Sequence, residues 1–185
     1  MPKMAFVAGL APSERTVHLI AVVAFSALLT LSAKVEVPFW PVPMTLETFA
    51  VLGLAGVFGL RLALAAVLLW LAEGAVGIPV FAGPAAGIGY FLGPTAGYLL
   101  GFVIAAAVVG MAADHGLRRK PMALLLVMLV GLGAIYLAGV TWLAALIGWG
   151  HAFRLGILPF IPADLTKVAL ATVIAVAAGR VIRRS

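Results

Sequence analysis

Leu158-Pro159-Phe160-Ile161-Pro162-Ala163-Asp164-Leu165-Thr166-Lys167 brings an acid and a base into the opening of an otherwise apolar segment that runs on to residue 182. Pro159 and Pro162 are poor inside a helix and good at its start, so the last helix is expected to open near Pro162 with Asp164 in its first turn. A spacing of i, i+3 then sets Asp164 and Lys167 on one face, about one turn apart. Only 10% of the 185 residues are charged, so two ions placed at a membrane helix end call for a reason.

The chain is 65% hydrophobic, well above the roughly 45 to 50% of ordinary soluble domains. The expected fold class is all-α: a polytopic membrane protein with residues 1–185 forming a single membrane domain and no soluble domain of useful size. There is no P-loop, no His-Glu-x-x-His and no cysteine, which sets aside nucleotide hydrolysis by this chain, zinc-thiolate and iron-sulfur chemistry and disulfides. A formal net charge of +6 would suggest nucleic acid in a soluble protein. Here the basic residues sit at segment ends, where topology explains them, and no nucleic-acid partner is expected. Residues 1–15 are too polar at Ser13, Glu14 and Arg15 to read as a cleaved signal peptide.

A transmembrane helix needs about 20 mainly apolar residues. On that rule six spans are expected, at residues 16–33, 45–59, 62–76, 98–113, 121–146 and 162–182. With both termini cytoplasmic, the inside receives Lys3, Arg15, Arg61, Arg118, Arg119, Lys120, Arg180, Arg183 and Arg184, and the outside receives Lys34 and Arg154. That asymmetry is a positive-inside signal, and an even number of spans agrees with it. The loops at 34–44, 77–97 and 148–161 then share the external face. They are rich in Pro, Gly and aromatic residues, whereas the inner connections are a bare Leu60-Arg61 turn and the basic stretch 114–120. Irregular backbone at membrane depth is tolerated where it lines a cavity, so an outward-facing pocket is expected.

Ionisable groups inside spans mark function by default, and the candidates are Glu47, Glu73, Asp164 and Lys167. Asp164 has a plainer reading as a complement to the helix dipole, with Lys167 as its partner. A buried ion pair by itself seldom adds net stability, which favours a polar clamp for a small ligand. Glu47 and Glu73 are equally readable as snorkelling to the outer interface. Gly93-Pro94-Thr95-Ala96-Gly97-Tyr98 reads as a loop entering a helix. The recurring Gly77, Gly83, Gly87, Gly89, Gly93 and Gly97, with Phe81, Tyr90, Phe91 and Tyr98, suit an apolar ligand with few polar handles. Trp149 reads as an interfacial belt residue. His18, His115 and His151 fall on both sides of the membrane and predict no shared metal site. Ala21, Ala24, Ser26, Ala27 and Thr30 form a small-residue stripe on the first span, open to a helix of this chain or of a partner.

Val42-Pro43-Met44-Thr45-Leu46, Gly77-Ile78-Pro79-Val80-Phe81-Ala82-Gly83, Gly93-Pro94-Thr95-x-Gly97-Tyr98-Leu99 and Leu158-Pro159-Phe160-x-Pro162-x-Asp164-Leu165-x-Lys167 occur in the order and at the spacing of the BioY family. In these motifs, over about residues 16 to 180, the chain resembles the biotin-specific substrate-capture subunits, or S components, of energy-coupling-factor (ECF) transporters. The resemblance implies the six-helix S-component fold, a biotin pocket near the outer face, and residence in a prokaryotic plasma membrane. It also implies a coupling membrane subunit and two ATPase subunits as partners; the chain itself needs no cofactor, since ATP would be used by those partners. By resemblance, binding roles fall on Asp164, Lys167, Thr45, Gly93, Thr95 and Tyr98, with Asp164 on the ureido N–H groups and Lys167 on the ureido carbonyl or the carboxylate. Glu47 departs from the pattern, standing where many relatives carry Gln, and Pro84 and Ala96 stand where the family often has Gly. The family's Ala-x-x-x-Ala docking face is reduced here to Ser26 and Thr30. Two other readings stay open: a self-sufficient carrier, and an intramembrane enzyme with Asp164 as base.

Overall fold

A computed structural model describes residues 13–84 and 86–181. Lys3, Arg183 and Arg184 of the charge count, Ile182 of the last span and the reading of residues 1–12 lie outside the described residues. The helices are α1 (Glu14–Lys34), α2 (Glu47–Ala75), α3 (Ala96–Asp114), α4 (Pro121–Ile147), α5 (Trp149–Gly156) and α6 (Ile161–Val181). Of these, α1, α2, α3, α4 and α6 are long and apolar enough to cross a membrane.

The second and third expected spans run together as α2, but the chain reverses inside it. Gly59 holds φ 80 and ψ −174, outside helical space. Leu46 N donates to Ser32 O and Ser26 Oγ donates to Glu73 Oε2 at 2.5 Å. Ser26 and Ser32 are about 9 Å apart along α1, whereas a straight helix would separate residues 46 and 73 by about 40 Å. The chain therefore doubles back at Gly59, and α2 supplies two crossings. A Cβ at Gly59 would fall 1.9 Å from the Asp114 carboxylate, which accepts the Leu60 N–H at 2.9 Å. Positive φ and the end of α3 together demand glycine at this turn. With α1, α3, α4 and α6, the two limbs of α2 make six crossings, as the sequence predicts.

Helix starts follow local chemistry. Ser13 Oγ accepts the Thr16 N–H at the head of α1, and Pro121 occupies the first turn of α4. Outward faces are apolar: Leu19, Ile20 and Val23 on α1, Leu126, Val130 and Leu137 on α4, and Leu170, Val173 and Ile174 on α6 are exposed. Such belts suit lipid, and the protein is a multi-pass membrane protein. Among the described residues the buried polar side chains are Ser26, Ser32, Glu47, Thr48, Asp164, Lys167 and Thr172.

Two features of the face expected to lie outside differ from the sequence reading. The first of its loops carries a small antiparallel ribbon, β1 (Glu36–Val37) with β2 (Met44–Thr45), pairing Glu36 with Thr45. The third holds α5, set off from α4 by Gly148 at φ 82, with Trp149 and Phe153 exposed beside Arg154. That pattern fits a helix lying in the interface rather than a loop. On α1, Ser26 is fully buried and bonded to Glu73. It belongs to intramolecular packing, so the Ser26/Thr30 pair does not form an outward docking face.

Candidate functional site

The three loops expected on the external side are tied to one another and to the helix ends. Lys34 Nζ, at the end of α1, donates to the carbonyls of Phe81 at 2.7 Å and Gly83 at 2.6 Å. Trp70 Nε1 donates to Val80 O at 3.1 Å, and the Phe81 ring stands edge-on to Trp70 at 5.0 Å and stacks on Tyr90 at 4.5 Å. Trp142 Nε1 on α4 donates to Gly93 O at 2.9 Å. From the first loop, Phe39 meets Phe160 edge-on at 6.2 Å. These contacts roof the ends of α2, α3, α4 and α6.

Under that roof lies a small chamber of about 40 Å³, lined among others by Val42, Thr45, Glu47, Tyr90, Thr95, Tyr98, Tyr136, Phe160, Asp164 and Lys167. Its polar wall is continuous. Lys167 Nζ donates to Asp164 Oδ1 at 2.7 Å and to Thr45 O at 2.6 Å. Tyr136 OH donates to Asp164 Oδ2 at 2.7 Å. Thr45 Oγ1 donates to Glu47 Oε2 at 2.6 Å. The remaining wall is apolar, with Leu99, Phe102 and Ile135. Burial pushes the Tyr90 hydroxyl up to about 12, the neighbouring Thr95 hydroxyl acting the other way, so Tyr90 presents a neutral O–H at physiological pH.

An ammonium has three N–H donors, and Lys167 directs two of them to protein oxygens, leaving one for a ligand acceptor. Both Asp164 oxygens are engaged, yet each retains a lone pair able to accept a ligand N–H. The chamber can therefore grip a small group carrying N–H donors next to a carbonyl, with its apolar part against the aliphatic and aromatic wall. A wider cleft of about 450 Å³ adjoins it, lined by Pro41, Pro43, Ala82, Ala86, Gly89, Tyr90, Gly93, Pro94 and Thr95, with no charged side chain. Pro43, Tyr90 and Thr95 line both spaces.

Of the residues singled out from sequence, Asp164, Lys167, Thr45, Thr95 and Tyr98 line the chamber, and Gly93 faces the adjoining cleft. Tyr98 contributes its ring; its hydroxyl donates to Gly156 O at 2.9 Å, holding α5 over the site. Of the predicted aromatic lining, Tyr90 and Tyr98 reach the chamber, while Phe81 is fully buried behind Tyr90. Glu47 does not snorkel: it is buried, and its carboxylate faces the chamber. Glu73 is held by Ser26. Sequence reasoning missed Tyr136, whose signal was a lone aromatic hydroxyl within a 27-residue apolar helix. Tyr136→Phe removes a bond to a charged acceptor, a contribution of roughly 1.5 to 3 kcal/mol. It is expected to weaken ligand binding by about tenfold in a titration and, because the bond is made in the empty protein, to lower the melting temperature by several degrees.

A sequence model of the BioY family matches residues 4–184. A protein of Pyrococcus horikoshii named a probable biotin transporter BioY is 41% identical over 151 residues, 82% of this chain and 89% of its own. The biotin transporter BioY of Thermotoga maritima is 37% identical over 153 residues, with the same coverage of 82% and 89%. Among solved structures, the S-component for biotin from an ECF-type ABC transporter superposes with a TM-score of 0.78 over 95% of both chains at 23% identity, a likeness of fold.

Proposed function

This chain belongs to the BioY family, and from that premise we propose that it captures biotin in the Asp164 chamber at the outer face and delivers it inward as the S component of an ECF-type transporter. The observation that carries the assignment of the site is the buried Lys167–Asp164 pair, tied to Thr45 and Tyr136, at the meeting point of three roofing loops. Biotin matches that inventory. Its ureido ring offers two N–H donors to Asp164 and a carbonyl to the remaining Lys167 N–H. Its thiophane ring suits Leu99, Phe102, Ile135 and Phe160. The valeryl chain then runs along the uncharged cleft toward the external side. The chamber of about 40 Å³ holds only a water or two, so uptake of the ring requires the loops at 35–46 and 76–95 to move outward and close again, as lids do.

Thr45 and Thr95 place hydroxyls at the chamber wall, and Gly93 keeps the cleft floor free of a side chain. The protein is a transport protein, not an enzyme. With no nucleotide-binding motif in the chain, we assign energisation to a coupling membrane subunit and two ATPases in a prokaryotic plasma membrane. Reconstitution tests this arrangement. Vesicles holding the chain with those partners and internal ATP, on the side of its cytoplasmic termini, are expected to accumulate labelled biotin, and vesicles holding the chain alone are not. Accumulation by the chain alone under an ion gradient would replace the partner scheme with a self-sufficient carrier.

A further inference from the structure

At the face opposite the biotin chamber, three arginines line a recess of about 190 Å³, together with Val176 and Gly179: Arg118, Arg119 and Arg180. The connection between α3 and α4 makes this possible. Gly116 turns at φ 87, and the short helical turn at Leu117–Arg119 lays Arg118 against α6. A Cβ at Gly179 would stand 3.3 Å from Arg118 Cδ and 3.4 Å from its Cγ, so glycine there gives the arginine stem its bed. Arg118 Nε is buried and has no hydrogen-bond partner among the described residues. Its Nη2 reaches Asp114 Oδ1 at 3.4 Å, a long contact to a carboxylate already accepting the Leu60 N–H. Asp114 thus offsets part of one charge and leaves the recess cationic.

A buried donor without an acceptor is costly, and native proteins rarely leave one. Arginine forks match the oxygens of a phosphate better than any other side chain does. The recess lies at the end of α6, about 24 Å along the helix from Asp164, on the side that the charge asymmetry makes cytoplasmic, where anionic headgroups collect. Val173, Ile174 and Val181 on the same helix are exposed, giving an acyl chain an apolar surface below the headgroup.

We propose that Arg118, Arg119 and Arg180 form a phosphate-binding site at the cytoplasmic membrane surface, taking the phosphate of an anionic lipid headgroup or a free phosphate. Native mass spectrometry of the purified chain in a neutral detergent tests it, with dioctanoyl phosphatidic acid, dioctanoylglycerol and inorganic phosphate as probes. Phosphatidic acid is expected to bind, and the diacylglycerol, lacking the phosphate, is not. Arg118→Ala and Arg180→Ala are each expected to weaken that binding by about tenfold or more, whereas Arg61→Ala, outside the recess, leaves it unchanged. Arg180 is exposed, so its loss acts on the ligand without a cost to the fold. Binding of inorganic phosphate with the same dependence on Arg118 and Arg180 would support the site with free phosphate as its ligand. Equal binding of the diacylglycerol, binding indifferent to both arginine variants, or binding of neither phosphate probe overturns it.

Discussion

Lys167→Ala is expected to abolish measurable biotin binding and to lower the stability of the empty protein as well. The ammonium is buried, and it holds Asp164 Oδ1 and Thr45 O together. Removing it strands a carboxylate that is 2% exposed, with the Tyr136 hydroxyl as its remaining side-chain partner. Breaking a buried pair from one side typically costs about 3 to 5 kcal/mol. Under the proposed assignment the ligand loses its donor to the ureido carbonyl at the same time, and the roofing ribbon loses its anchor on α6. The two effects separate in a double variant. Asp164→Ala added to Lys167→Ala removes the stranded charge, so the melting temperature recovers while biotin binding stays absent. A double variant no more stable than Lys167→Ala alone would show that the pair is not the buried ionic unit described here.

Gly101→Leu is the second large effect, and it acts on the frame rather than the clamp. A Cβ at Gly101 would stand 2.6 Å from Ile135 Cα and 3.1 Å from its carbonyl oxygen, so α3 and α4 approach backbone to backbone. Small residues permit this in membranes, where close packing rather than hydrophobic exclusion holds helices together. The obstacle is main chain, which cannot swing aside as a side chain does. Overpacking of this kind costs about 1 to 3 kcal/mol, or more. Ile135 lines the chamber next to Tyr136, so spreading the pair also draws the tyrosine away from Asp164. A fall in melting temperature together with weakened biotin binding is expected. Gly133→Ala, at a position open to 4 Å, serves as the neutral control. Unchanged melting in Gly101→Leu would contradict the packing of α3 on α4.

What the sequence made legible was whatever a local rule writes into neighbouring residues. Pro121 opens α4 where predicted, and α6 begins at Ile161, one residue before the proline expected to start it. The i, i+3 spacing of Asp164 and Lys167 placed both groups on one face, and they meet at 2.7 Å. The reversal between the second and third spans was readable from the bare Leu60-Arg61 turn, although the helical limbs run so close to Gly59 that they form one nearly continuous element. The rest depends on distant segments. Tyr136 reaches Asp164 across 28 residues, and Lys34 reaches the second loop across 47 and 49. Glu47 was open to the interface reading because its own neighbours cannot show that the ends of α3 and α6 enclose it. Arg118, Arg119 and Arg180 read as topology signals for the same reason: their shared recess depends on Gly179 of α6 admitting Arg118.

Equilibrium binding of labelled biotin to the purified chain in detergent, without partners, tests the central claim most directly. One biotin per chain, displaced by the free ureido-ring compound and lost in Asp164→Asn, is the predicted result. A folded chain that binds no biotin, or an Asp164→Asn variant that keeps full affinity, would contradict it.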